Sequence, residues 1–509
     1  MAILTFLRSL LGNDSTHHIT DSTKEHSSRT DISDISDVSD SETKEVSNET
    51  LTVTWDGPDD PSNPKNWSTG QKWAASCFST SPALTSIGEE FHIKNEVQLQ
   101  LILSIFLLAY ALGPFILSPC SEIWGRVRVI RFGNLIFILF TTLCGFSASR
   151  SQITAFRFLA GVGGSASVGM GSGVLTDCWR PEERGRGIAI YQLAGVLGPA
   201  IGPIVGGYMT QYTTWRWCFF TIVITNITVQ IFAFFFLRET YPPRILFLKA
   251  QAMRERSGNQ KFQTEWEQSE NDRTLLGLLR ITLSRPWVML GTQPIIQVLA
   301  VYQAFNFGTL YLLISGFPAL WEGWYGMPRG DATLNYISLA VGSLIGVNIC
   351  GPATDRVYAS LKRHHGISEN EPGLPEFRVP LMIPASIISP CGIFLFAWSA
   401  QTKLHFLIPN LGAAIFAGSS IISYQCISAY ISDSYSLHSA SASAACSFLR
   451  STLAFCFPLF VPALFGQLGY GWGGSVVGLA SVVLGIPAPW VIWVYGRRLR
   501  QSGRFTSGD

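Results

Sequence analysis

The chain has 509 residues, of which 47% are hydrophobic and only 14% are charged. A soluble protein usually carries about 25% charged residues, so this composition points away from a soluble domain and indicates a polytopic membrane protein. The formal net charge of +2 gives no sign of a nucleic-acid partner. The ten cysteines are scattered without a Cys-x-x-Cys pair, which predicts buried thiols and no metal site.

The N-terminal segment is polar and of low complexity, as in the repeat Asp31–Asp40. Such a segment has too few apolar residues to bury a core. We therefore predict a disordered cytoplasmic tail over residues 1–66.

Eleven apolar runs follow that are long enough to span a bilayer by the rule of roughly 20 residues. They lie at about 97–118, 130–148, 152–176, 187–209, 217–237, 287–315, 332–353, 380–400, 406–427, 444–466 and 474–495. A weaker candidate at 71–88 is too short to cross about 30 Å of hydrocarbon as a straight helix, which predicts a truncated first helix.

The loops between these runs alternate between rich and poor in Lys and Arg, which predicts that the rich set faces the cytoplasm. The longest charged connector, 238–285, divides the spans into two sets. We therefore predict an N-terminal bundle over 67–237, a central cytoplasmic loop over 238–285, a C-terminal bundle over 286–495 and a cytoplasmic tail over 496–509.

Charged residues recur where the second helix of each set ends, when the candidate at 71–88 is counted in the first set. In the first set Glu122 and Arg126 flank a turn at Gly125, four residues apart, a spacing that permits an ion pair. The second set carries a reduced form of the motif, Asp355-Arg356. Recurrence at the same place predicts the internal duplication of a two-fold transporter.

The stretch 195–208 combines small residues and prolines at helical spacing. Its glycines Gly195, Gly198, Gly202 and Gly206 lie on one face of a helix, and Pro199 and Pro203 lie one turn apart on an adjoining face. Small residues let membrane helices approach closely, so we predict a kinked, tightly packed helix.

Polar residues inside the apolar runs are the candidates for a transport site. Arg157 falls in the outer third of its span, where a charge is costly and usually functional; the alternative is an arginine that snorkels to the surface or caps carbonyls near a helix end. Arg450 lies similarly inside the run 444–466, nearer the cytoplasmic side. Several uncharged residues line a cavity between the halves or, equally, form hydrogen bonds between helices. They are Gln192, Gln297, Tyr302, Asn306, Asn348 and Gln425.

These motifs together resemble the major facilitator superfamily, specifically the fungal drug:proton antiporter group with twelve spans. The matching elements are Asn63–Ser68, the loop from Gly113 to Arg126, Arg157–Gly161, the glycine and proline stretch at 195–208, and Arg238–Tyr241. The resemblance implies an all-α membrane fold of two pseudo-symmetric six-helix bundles. It also implies export of small organic molecules in exchange for protons.

Two features depart from that pattern. The gap between residues 68 and 82 is too short for a full first helix. No carboxylate lies at mid-membrane, because those near the spans all fall at cytoplasmic ends: Glu122, Asp177, Glu239, Asp355 and Asp433. Proton coupling is therefore implied only by the resemblance. It would depend on Glu122 or Asp177, on His405, or on residues of the first helix.

The expected protein is a plasma-membrane efflux pump, without enzymatic activity, cofactor or metal, and monomeric in the bilayer. Its expected transport and gating residues are Glu122, Arg126, Arg157, Asp177, Gly195, Gly198, Pro199, Gly202, Pro203, Asp355 and Arg356. The alternatives are a transporter of polyamines or other small solutes and a membrane sensor that does not transport.

Overall fold

Helices account for nearly all of the described chain, because a peptide in lipid must satisfy every backbone hydrogen bond within its own segment. The computed structural model describes residues 51–54, 60, 62–66, 96–179, 198, 202–258, 262–264, 275–366, 373–435 and 439–501. All of them belong to the unit Thr50–Asp509.

The first half contains five long or partly described helices and a shorter one that follows them. They are α1 (Glu96–Trp124), α2 (Arg126–Gly145), α3 (Arg150–Cys178), α4 (202–212), α5 (Arg216–Phe236) and α6 (Pro242–Ser257). The apolar side chains of α5 that point away from the bundle, such as Ile231 and Phe235, are more than half exposed and form a surface for lipid.

The second half begins with α7 (Leu275–Thr292) and α8 (Pro294–Pro318), followed by a π-helical turn (Ala319–Trp324). The helices after this turn are α9 (Arg329–Leu334), α10 (Ile337–His364), a 3-10 helix (Pro375–Arg378), α11 (Met382–Gln401), α12 (Leu407–Ser434), α13 (Ser439–Leu459), α14 (Val461–Ala480), a second π-helical turn (Ser481–Gly485) and α15 (Pro487–Gln501).

Nine segments in the described part of the chain are long and apolar enough to cross a membrane. They coincide with nine of the eleven predicted runs. The run predicted at 152–176 is also helical, as most of α3. The run at 187–209 is described only at residue 198 and from residue 202 onward, where it is helical, and the candidate at 71–88 lies outside the described residues.

One predicted span proved to be two helices. The run 287–315 is interrupted at Gln293, whose backbone is extended at φ −108° and ψ 101°. Pro294 then starts α8, because proline lacks the N–H that a continuous helix requires. The membrane helix therefore begins at Pro294, and residues 287–292 belong to the preceding helix α7.

The structure defines two boundaries in the C-terminal region. Gly469 has φ 72°, and it divides the run after Val461 into two helices at the predicted gap between spans. Helix α15 continues to Gln501 and buries Arg500, so the segment predicted as the cytoplasmic tail, 496–509, begins within a helix.

The tail predicted to be disordered over 1–66 is partly folded. Residues Leu51–Val53 form β1, which pairs in parallel with β2 (Phe262–Thr264) of the central loop. Asp60 is buried and forms an ion pair with Lys249 of α6, with 3.4 Å between its Oδ2 and the lysine Nζ. The described end of the tail therefore packs on the central loop 238–285, which itself contains α6.

The two halves repeat the same close helix contacts. In the first half a Cβ at Gly163 of α3 would lie 2.6 Å from the Gly133 carbonyl of α2. In the second half a Cβ at Gly412 of α12 would lie 2.8 Å from the Gly392 carbonyl of α11. Small residues thus let corresponding helix pairs touch backbone to backbone, as expected of a duplicated membrane bundle.

Candidate functional site

A charge cluster joins three helix ends of the first half on the side predicted to be cytoplasmic. Arg126 opens α2, and its Nε donates a hydrogen bond to Oδ2 of Asp177 at the end of α3. Its guanidinium also lies 5.0 Å from the centre of the Tyr241 ring, beyond α5. Both charged side chains are largely buried, so the low local dielectric strengthens their attraction.

Glu239, which follows α5, caps the start of α2. Its Oε1 accepts the backbone N–H of Arg126 at 2.9 Å, and its Oε2 accepts that of Val127 at 3.3 Å. A carboxylate here satisfies amides that the helix leaves unpaired and complements the positive end of its dipole. Sequence reasoning placed Glu239 at a helix end but assigned it no role.

Glycine is required at two positions around this cluster. Gly125 has φ +93°, and a Cβ there would lie 2.4 Å from Oε2 of Glu239. A Cβ at Gly173 of α3 would lie 2.5 Å from the Arg126 guanidinium. These two glycines make the turn and the space that the Arg126 side chain occupies.

Arg244 of α6, outside the spans, lies against the same turn. Its Cγ would be 3.3 Å from a Cβ at Gly125. Burial and the neighbouring charge of Arg128 lower the pKa of the Arg244 guanidinium, while Glu239 opposes that change. The central loop therefore adds positive charge around the Glu239 carboxylate.

The second half holds a corresponding cluster, centred on Arg378 before α11. Arg378 Nε donates to Oδ2 of Asp433 at 3.0 Å, and its Nη1 lies 3.5 Å from Oδ1 of Asp355. Its guanidinium stacks over Tyr358 at 4.1 Å. Arg378 and Asp433 thus occupy the positions that Arg126 and Asp177 occupy in the first half.

The structure therefore reassigns the second copy of the motif. Asp355 and Arg356 are both exposed, and only Asp355 faces Arg378. The structural counterpart of Arg126 is Arg378, which the sequence pattern did not single out. Glu122 lies in α1, but its side chain is outside the described part, so its predicted pairing with Arg126 stays a prediction.

A buried ion pair ties the last helix to the same cluster. Arg500 Nε and Nη2 each donate to the Glu376 carboxylate at 3.0 Å, and the Tyr430 hydroxyl donates to Oε1 at 3.3 Å. Glu376 is 8% exposed and Arg500 is 7% exposed. The sequence did not predict this pair, because Arg500 lies in a basic C-terminal segment that is typical of a cytoplasmic tail.

Arg157 is buried near the opposite, external end of the first half. It is 4% exposed, and its guanidinium lies 6.0 Å from the centre of the Phe219 ring of α5. Ile153 and Phe219 belong to the apolar cluster at this end of the bundle. The side chain therefore points into the bundle, and it does not snorkel to the surface.

The described part of the glycine and proline stretch is buried against the second half. Gly198, Gly202 and Pro203 are buried, whereas Gln192, Gly195 and Pro199 lie outside the described residues. A Cβ at Gly207 would lie 2.4 Å from Cγ2 of Thr333 in α9. Helix α4 thus contacts the second half directly.

A hydrogen bond reinforces that contact between α4 and α9. The Gly330 N–H donates to Oε1 of Gln211 at 3.1 Å. A Cβ at Gly330 would lie 2.8 Å from the Tyr208 ring, so the two backbones can approach only with glycine here. We call this contact, formed by Gly207, Gln211, Gly330 and Thr333, the external clasp.

Two of the predicted cavity residues bind each other in the interior of the second half. The Tyr302 hydroxyl lies 3.0 Å from the Ser423 hydroxyl of α12, and the Asn306 amide donates to the Tyr302 carbonyl at 3.0 Å. Tyr302 and Asn306 are both buried. Gln425 of α12 is half-buried. The contact between Tyr302 and Ser423 agrees with the second alternative, a hydrogen bond between helices, whereas the bond between Asn306 and Tyr302 lies within α8.

Two other cavity candidates are exposed and bonded to backbone carbonyls. The Gln297 side chain donates to the Leu290 and Gly291 carbonyls at 2.9 Å and 3.2 Å, which caps the end of α7. The Asn348 side chain donates to the Leu344 carbonyl of its own helix. These bonds do not test a place in a cavity, so the cavity role of both residues stays a prediction.

Two helical halves related by duplication, with matched charge clusters at one end, are the architecture of a membrane transporter. The chain matches the model of the Major Facilitator Superfamily over residues 74–451. The chain belongs to this superfamily, and it is a multi-pass membrane transporter and not an enzyme.

Similar proteins come from fungi and from bacteria. The chain is 39% identical to the efflux pump vrtL of Penicillium aethiopicum, over 90% of this chain and 92% of that protein. It is 37% identical to the probable efflux pump mfs2 of Aspergillus flavus, over 82% of this chain and 98% of that protein. The fold is similar to that of the xylose transporter XylE from E. coli in a partially occluded inward open conformation, with a TM-score of 0.54 and 13% identity over 83% of this chain and 93% of that one.

Proposed function

We propose that this chain is an efflux pump of the plasma membrane that exports a small hydrophobic or amphipathic organic compound in exchange for protons. The direction of transport is supported by fungal relatives that are named efflux pumps, 37–39% identical over most of their length. The compound would be a drug, a toxin or a secondary metabolite, which fits the apolar and aromatic character of the spans.

The observation that carries this proposal is the ion pair between Arg126 and Asp177. Together with the Glu239 cap, it joins the end of α3, the start of α2 and the segment after α5 into one rigid unit. The corresponding Arg378 cluster does the same in the second half. Two stiffened halves are what rocking around a central site requires.

The external clasp is a contact between the two halves on the side opposite these charge clusters. It joins α4 of the first half to α9 of the second. A transporter that exports must separate this contact to release its cargo outward and form it again afterwards. The clasp is formed in this structure, which therefore represents a state closed at that contact.

Transport and proton coupling are tested separately in inside-out plasma-membrane vesicles of yeast that express the full chain. A fluorescent apolar probe is added, and its uptake into the vesicles is measured with and without an imposed proton gradient that is acidic inside. We expect uptake that the gradient stimulates and that an uncoupler abolishes. Uptake that ignores the gradient would overturn antiport alone, and no uptake above vesicles lacking the chain would overturn efflux.

A further inference from the structure

Arg450 is a buried cation in the middle of α13. Its side chain is 8% exposed, and its Nε makes no hydrogen bond although it is shielded from solvent. None of the ion pairs formed by the described residues includes Arg450. A cation at this depth is costly, and ionisable residues inside membrane spans usually mark substrate or ion sites.

Aromatic rings from two other helices face the Arg450 guanidinium. Its centre lies 4.8 Å from the Phe307 ring of α8 and 5.3 Å from the Tyr424 ring of α12. Both rings are half-buried. The two rings attract the guanidinium by cation–π interaction, but they do not accept hydrogen bonds from its N–H groups. These donors therefore remain for another partner.

The first half of the protein reaches the same place. The Phe115 ring of α1 lies 5.5 Å from the ring of Phe448, which is two residues before Arg450 in α13, and the Tyr311 ring of α8 lies 5.1 Å from that of Phe307. Phe307, Tyr424 and Arg450 all lie near the middle of their helices. The group therefore lies at the midplane and between the halves, where transporters bind their cargo.

We propose that Arg450 recognises the acid group of the exported compound, and that Phe307, Tyr311 and Tyr424 contact its aromatic body. This inference rests on the proposed function and names the substrate class: a small aromatic compound that carries one carboxylate or acidic phenolate. A guanidinium binds such planar anions through two parallel hydrogen bonds. A cationic compound at this site would be repelled.

Three probes with one body test this preference: pyrenebutyrate, pyrenebutanol and pyrenebutylamine, which carry a negative, a neutral and a positive head group. Uptake of each is measured in the inside-out vesicles that contain the full chain. We expect the wild-type chain to transport pyrenebutyrate best. Arg450→Gln should lower transport of pyrenebutyrate at least tenfold and leave pyrenebutanol transport within twofold.

Two further variants separate charge from folding. Arg450→Lys keeps the positive charge and should retain part of the pyrenebutyrate transport, whereas Arg498→Gln removes an exposed arginine and should change nothing. Protein amount and the elution of the detergent-solubilised chain serve as measures of folding for every variant.

The outcomes distinguish the two proposals. If pyrenebutanol or pyrenebutylamine is transported and pyrenebutyrate is not, or if Arg450→Gln reduces all three probes equally, the inference about Arg450 is overturned and efflux stands. If the wild-type chain transports none of the three above empty vesicles, efflux of aromatic compounds and the acid preference are both overturned.

Discussion

The Arg500 guanidinium forms two hydrogen bonds of 3.0 Å with the Glu376 carboxylate, which joins the last helix of the chain to the short 3-10 helix before α11. Both groups are removed from solvent, and Tyr430 donates a further hydrogen bond to Glu376. Replacing one partner of such a buried pair destabilises a protein far more than replacing both, because a single replacement leaves the other charge buried and unpaired.

Removing one partner of this pair should therefore destabilise the second half. We expect Arg500→Met to cost about 3–5 kcal/mol, because it leaves the Glu376 carboxylate buried and uncompensated. The double variant Arg500→Met with Glu376→Leu should recover most of that loss. Thermal unfolding of the detergent-solubilised chain measures the effect, and equal stability of the single and double variants would contradict it.

Asp177 and Arg126 should act as a unit in transport. We expect Asp177→Asn to reduce the initial rate of probe uptake at least tenfold, since it weakens the link between α3 and α2. Arg126→Gln should do the same, and the double variant should be no worse than either single one. Additive losses in this double-mutant cycle would show that the two side chains work separately.

Gly125→Ala should destabilise the chain through two effects at one position. A left-handed φ of +93° is strained for alanine, and the added Cβ would meet the Glu239 carboxylate. Strain of this type costs about 1–3 kcal/mol. Gly291→Ala in α7 is the matched control, because a Cβ there meets nothing within 4 Å. The thermal stability of both variants checks the difference, and equal values would count against it.

Adding a side-chain carbon within the external clasp should slow the transport cycle. We expect Gly207→Ala to slow uptake because the new Cβ collides with Thr333 when α4 approaches α9. Combining it with Thr333→Ala removes the colliding methyl and hydroxyl groups and should restore transport. A double variant as slow as Gly207→Ala, at equal protein amount, would show that the loss has another cause.

Sequence patterns predicted the membrane helices well because each span must satisfy its own hydrogen bonds and present apolar side chains to lipid, which are local requirements. Gly125 and Arg126 were recognisable for the same reason, since a turn and its flanking charges lie within a few residues. The sequence did not predict the helix break at Gln293, because the apolar run continues on both sides of it.

The amino-acid sequence by itself determined that this protein is a duplicated helical bundle of the membrane, since composition, span length and loop charge are all properties of short segments. Only the tertiary structure decided which charges meet. Arg378, and not Arg356, is the counterpart of Arg126, Arg500 pairs with Glu376, and Gln297 caps the end of α7. Each of these relationships joins residues that lie on different helices. Such contacts are fixed by the packing between helices, which no local sequence pattern encodes.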